Sequence, residues 1–236
     1  MPEGRLFPYV LRRRMTTATT TASPASTHGT FLRSRLASIL AIIPLGVWLL
    51  FHLWNNLAAF DGGTAWEASV TTYSSPVAQL ITALVVLMPL VLHAIWGIAR
   101  VFTAQPNNTH YGTYANFKYV LQRLAGIGVL LFVGAHLWLA MLHPRLTTGH
   151  GEAFADIAHE MRFNPPTLVV YLLGTLGVSF HLANGLQTAA MTWGLVSSRV
   201  ALRRTEWLVI GFFFVLLGMS WSVIGALWSA GASFPG

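Results

Sequence analysis

Cysteine is absent from this sequence of 236 residues. Its absence excludes disulfides, thiolate nucleophiles, zinc–thiolate sites and cysteine-bound iron–sulfur clusters within the chain. Any iron–sulfur chemistry belongs to a partner, and histidine is left as a metal ligand. Charge is scarce as well. Only 9 % of residues are Asp, Glu, Lys or Arg, where a soluble domain carries about 25 %. So few charges do not cover a water-facing surface, and a mean hydropathy of +0.59 puts the chain in the membrane class. Acids are the rarer sign, 7 against 14 Lys and Arg, for a net charge of +7. Such a balance points to nucleic acid in a soluble protein, but to basic cytoplasmic loops in a membrane protein.

What is present in quantity is long apolar sequence. Five stretches, 36–57, 77–101, 119–142, 167–191 and 207–228, each cross a hydrocarbon core of about 30 Å as a helix. Backbone groups in lipid are satisfied internally, so helices are the expected form. The fold class expected is all-α, an integral membrane bundle of five transmembrane helices. Residues 1–30 read as a disordered polar tail, with a Thr-, Ala- and Ser-rich run after Arg12, Arg13 and Arg14. No apolar core and cleavage site follows those arginines, so no secretory signal is expected. Both Met1 and Met15 stay open as the start. The loop 143–166 is the longest connection, and its stretch 152–161 suggests a short surface helix.

Charge placement gives an orientation. With the N-terminus inside, the inner segments hold Arg5, Arg12, Arg13, Arg14, Arg33, Arg35, Arg100, Lys118, Arg123, Arg199, Arg203 and Arg204, and the outer ones only Arg145 and Arg162. This asymmetry predicts a cytoplasmic N-terminus and an external C-terminus. It accounts for the positive charge without nucleic acid.

Four of the 9 histidines lie deep in the first four apolar stretches: His52, His93, His136 and His181. An ionisable side chain in hydrocarbon is costly and needs a partner. A single membrane histidine is more often a packing residue or a proton relay. Four, one on each of four successive helices, favour haem ligation. Each sits about two thirds of the way along its helix. Alternating helix direction therefore pairs His52 with His136 near the outer face and His93 with His181 near the inner face. At 1.5 Å per residue the pairs differ in depth by roughly 10–15 Å, a spacing for two stacked bis-His haems b. Gly97 and Gly185 stand four residues after His93 and His181, where a missing side chain leaves room for a flat macrocycle. Arg33, Arg35, Arg100 and Arg123 flank the inner helix ends as propionate partners or as plain positive-inside flanks. His28, His110, His143, His150 and His159 fall in tails or loops and read as surface residues.

The segments RLASILAIIPLGVWLLFHLWNN, MPLVLHAIWGI, KYVLQRLAGIGVLLFVGAHLW and SFHLANGLQTAAMTWG resemble one family. They are similar to the dihaem, single-chain cytochrome b anchor of bacterial succinate:quinone oxidoreductases and related fumarate reductases. The resemblance covers 31–228, and the fourth segment is its most specific part. It implies that His93 and His181 hold a proximal haem and His52 and His136 a distal one. It implies a flavoprotein subunit, an iron–sulfur subunit and a membrane quinone, commonly menaquinone, reached near the distal haem. Asp61, Glu67, Trp54 and Asn55 lie beside that region as quinone candidates, each equally read as an ordinary loop or interface residue. Some fumarate-reductase relatives carry a glutamate two residues before the fourth ligand. Ser179 stands there, which leans the reading toward succinate oxidation.

The domain reading that follows is a tail over 1–30, a five-helix dihaem membrane domain over 31–230 in the bacterial cytoplasmic membrane, and a short external tail over 231–236. The lipid bilayer and the two partner subunits are its surroundings, and a higher oligomer of the complex stays open. Three other readings compete. Haem anchors of hydrogenases, formate dehydrogenases and nitrate reductases often put two ligands on one helix. A histidine proton-relay transporter predicts broken helices or mid-membrane polar clusters. An anchor without haem leaves four imidazoles in need of other partners.

Overall fold

The structure, a computed structural model, describes residues 35–71, 76–103 and 113–235. The tail expected over 1–30, with Arg33, His28 and His110, lies outside the described residues. The described residues are helical and hold no strand. Five helices are long and apolar enough to cross a membrane: α1 (Arg35–Asp61), α3 (Leu80–Phe102), α4 (Tyr114–Thr147), α6 (Pro165–Thr192) and α7 (Arg199–Ser233). Two short helices, α2 (Gly63–Val70) and α5 (Phe154–Phe163), lie between them. Helix α6 is central, packing against α4, α7 and the first turns of α1, while α3 packs against α1 and α4.

Proline shapes three of the histidine-bearing helices. A proline inside a helix lacks an N–H and its ring strikes the carbonyl four residues back. The helix relieves this by widening locally into a π turn. Wide turns run over Ala41–Gly46, which contains Pro44, over Ala83–Leu87, just before Pro89, and over Trp138–Leu142, just before Pro144. They lie six residues or fewer from His52, His93 and His136.

The apolar core gathers at one end of the bundle. There Ala59, Trp66, Phe154, Ile157, Ala158, Met161, Tyr171, Val223, Ile224 and Leu227 form one buried cluster. Helix α5 lies across that end as a cap. The short surface helix expected over 152–161 is present, shifted by two residues, with one face buried and Asp156 and Phe163 exposed. Phe154, Ile157, Ala158 and Met161 recur at helical spacing and turn one apolar face onto α7. Close approach explains the fit at its far side. A Cβ on Gly231 would strike the Ala158 carbonyl and the Arg162 side chain. The Glu67 carboxylate of α2 accepts from the Phe154 N–H at 2.8 Å, satisfying one free donor at the start of α5.

Candidate functional site

The four half-buried histidines of the apolar helices meet as two pairs. On the side of the cap, His52 of α1 and His136 of α4 face each other with ring centres 5.9 Å apart and planes at 69°. Toward the opposite end, His93 of α3 and His181 of α6 stand 6.1 Å apart at 74°. Two contacts measure the separation of the pairs. Tyr171 meets His136, and Gly126 lies against the His181 ring. Along α6 from Tyr171 to His181, and along α4 from Gly126 to His136, the rise is roughly 15 Å each.

Each pair is held by its surroundings. The Tyr171 hydroxyl lies 3.1 Å from His136 Nδ1. Phe132 stacks on the same imidazole at 5.8 Å and meets the Tyr171 ring edge-on at 5.5 Å. A Cβ on Gly174 would overlap the Phe132 ring, so this glycine makes room for the residue that fixes His136. His52 stacks on Trp48 at 4.7 Å. Asn56 donates to the His52 carbonyl at 2.8 Å and accepts from Trp66 Nε1 at 3.1 Å. In the other pair, His181 Nδ1 lies 3.2 Å from the Gln122 carbonyl, and the Gln122 amide donates to the His181 carbonyl at 3.0 Å. Asn184 donates to the Gln122 side-chain oxygen at 2.8 Å. One turn on, Lys118 donates to Gln187 at 2.6 Å and pairs with Glu206 at 3.3 Å. His93 Nδ1 is buried with no hydrogen-bond partner among the described residues.

This arrangement constrains the chemistry. Two imidazoles on opposite sides of one first-row metal, at metal–nitrogen distances of about 2.0 Å, hold their ring centres roughly 6 Å apart. Nδ1 of His136 and of His181 each have an oxygen in reach that can accept a hydrogen bond. In the tautomer that carries the proton on Nδ1, Nε2 is left bare for a metal. Among the described residues no three His, Asp or Glu gather as a metal cage. Each pair therefore suits a metal that brings its own in-plane ligands.

The chain is similar to known proteins over these same helices. A family model described as "Succinate dehydrogenase/Fumarate reductase transmembrane subunit" matches residues 102–219. The chain is 31 % identical over 187 residues, 79 % of its length and 91 % of the relative's, to the "Succinate dehydrogenase cytochrome b558 subunit" of Bacillus subtilis (strain 168). The chain belongs to the succinate dehydrogenase/fumarate reductase transmembrane subunit family. As a membrane-anchor cytochrome b subunit of that family, it carries two of the four histidines, His136 and His181, within the matched segment, and His52 and His93 before it.

The remaining candidates of this anchor subunit fall in different places. Arg123 lies over the Tyr119 ring at 3.3 Å and donates to the Tyr119 carbonyl at 2.8 Å, with its Nε buried and without a partner among the described residues. It follows Gln122, at the level of the His93–His181 pair. Arg35 lies 5.1 Å over Trp193, at the ends of α1 and α6 away from the cap. Glu67 caps α5. Trp54 is 68 % exposed, and Asn55 and Asp61 are exposed, on the outside of the bundle. Gly97 faces open space, whereas a Cβ on Gly185 would meet the Gln122 side chain at 3.5 Å. Ser179 is buried and donates to the Thr175 carbonyl at 2.8 Å. His159 is half-buried, its Nδ1 2.9 Å from the Phe234 carbonyl.

Sequence reasoning passed over Gln122, Asn56, Tyr171 and Glu152. Gln122 carried a signal, being a polar residue inside an apolar stretch. Burial pushes the Glu152 carboxyl up to about 8, with Asp156 and Glu160 adding to the rise.

Proposed function

We propose that this chain carries two b-type haems and moves electrons between an iron–sulfur partner subunit and membrane quinone, as the anchor of a succinate:quinone oxidoreductase. The observation that carries the reading is the pair of facing imidazoles at two levels, 5.9 and 6.1 Å between ring centres. The donor set suits haem iron, since each pair of facing imidazoles would hold it through ring nitrogens. When bound, haem supplies one-electron transfer between two iron oxidation states.

The protein's part is positional. His93 and His181 hold the inner group, with Gln122 fixing the His181 ring. His52 and His136 hold the outer one, with Tyr171 and Phe132 fixing the His136 ring. Arg123 and Arg35 serve the propionates at the inner end. The quinone region lies at the capped end, around Asn56, Trp66 and Glu67, with Asp61, Trp54 and Asn55 on its margin. The basic flanks put that end outside, with the N-terminus in the cytoplasm. Dicarboxylate chemistry belongs to a flavoprotein partner. Menaquinone is the quinone expected, and the serine at position 179 favours succinate oxidation over fumarate reduction.

The test is electron flow in membranes holding the assembled complex. Succinate is expected to reduce both haems in the wild type. His52→Ala is expected to leave one haem reducible by succinate while quinone reduction stops. Quinone reduction at the wild-type rate in that variant, with one haem lost, would remove the outer haem from the electron path.

A further inference from the structure

The capped end holds an ionisable side chain that the electron path does not use. Glu152 is only 7 % exposed. It forms no hydrogen bond with a described residue, and the ion pair found among them joins Lys118 to Glu206. Asp156 and Glu160 of α5 and Tyr171 of α6 surround it within electrostatic reach. The cations near this end are engaged elsewhere. Arg145, which approaches Gly151, donates to the Met141 carbonyl at 3.1 Å, and Arg162 lies 3.8 Å over the Trp228 ring. Glu67 of α2 is turned to the start of α5. Tyr171, within electrostatic reach of Glu152, has its hydroxyl 3.1 Å from His136 Nδ1. His150, two residues back along the chain, is exposed.

We propose that Glu152 is the proton-exchange residue of the capped end, taking protons from water at the 148–151 loop and giving them toward quinone beside the His52–His136 pair. This rests on the electron-path reading above. Reduction of a quinone to a quinol takes two electrons, supplied by succinate through the partner subunits, and two protons, one forming each O–H bond. Glu152 gives its carboxyl proton for such a bond, becomes a carboxylate, and takes a new proton from external water. A carboxyl buried among other negative groups stays protonated where a surface one has ionised. It is thus a competent acid near neutral pH. With its carboxyl raised to about 8, proton delivery is full below that value and fails as pH rises through it.

The experiment uses the assembled complex in membranes, with succinate and a short-chain soluble quinone. In Glu152→Gln, both haems are expected to remain reducible by succinate while quinone reduction falls roughly 10²-fold, within the range of a positioned acid. Glu152→Asp is expected to recover part of that loss. Independently of turnover, infrared spectra of the wild type at pH 7 are expected to show a protonated carboxyl band that titrates near pH 8 and is missing from Glu152→Gln. A Glu152→Gln complex with the wild-type rate and pH profile overturns the proposal. So does a wild type without that band, which decides the matter even if the variant does not assemble. A wild type whose haems succinate does not reduce overturns the electron-path reading and the proposal with it, and the visible spectrum alone tells that outcome from the others.

Discussion

Each imidazole of the two pairs is useful only if its ring is held and one nitrogen is committed. Tyr171 and the Gln122 carbonyl do this for His136 and His181 through Nδ1. Partners of this kind set ring orientation, and their loss typically lowers metal affinity by about 10- to 100-fold. Tyr171→Phe, which keeps the ring packing against Phe132 and removes the hydroxyl, is therefore expected to bind the outer haem about tenfold more weakly. Haem-to-protein ratio after purification and haem titration of the depleted variant measure this; unchanged affinity would mean that the hydroxyl does not orient His136. The four histidines were readable in the sequence because an imidazole in an apolar run stands out as an expense that needs a reason. Tyr171 and Gln122 were not singled out, since each meets its histidine on another helix, 35 and 59 residues away along the chain. Glu152 was not singled out, because nothing in the sequence around it shows that it is buried.

At the scale of elements, the five long helices were evident from apolar length alone, within a few residues at most ends. The wide turns at Pro44, Pro89 and Pro144 follow from proline's missing N–H, but whether a helix kinks, widens or stops there depends on neighbours. Helix α5 shows the limit of composition. It was expected only as a short surface helix, while the spacing of Phe154, Ile157, Ala158 and Met161 describes the face that is buried. The cap's start depends on Glu67, so Glu67→Ala is expected to weaken α5 by about 1 kcal/mol, the usual worth of an N-terminal cap. Hydrogen exchange over 154–163 measures it. Faster exchange confined to α5 and α2 is the expected pattern, and unchanged protection would show that the Glu67 contact contributes nothing to docking the cap.

For the whole molecule, the bundle sorts its groups by end. The cap, the apolar core and the His52–His136 pair share one end. The His93–His181 pair, the Lys118–Glu206 ion pair and the arginines at 199, 203 and 204 lie toward the other. The pairing of histidines across helices followed from alternating helix direction, which a sequence does reveal once the spans are known. Orientation can be tested cleanly because the chain has no cysteine of its own. In Thr148→Cys, a membrane-impermeant thiol reagent added to whole cells is expected to label the chain, and in Ser198→Cys only after the membrane is opened. The reverse pattern would invert the topology and put the capped end in the cytoplasm.

The central claim is that two facing imidazole pairs hold two haems. A reduced-minus-oxidised spectrum with haem quantitation on the purified chain, beside His93→Ala and His52→Ala, tests it most directly. The account predicts about two b haems per chain, with each variant losing a different one. Well-folded wild-type protein without haem would contradict it.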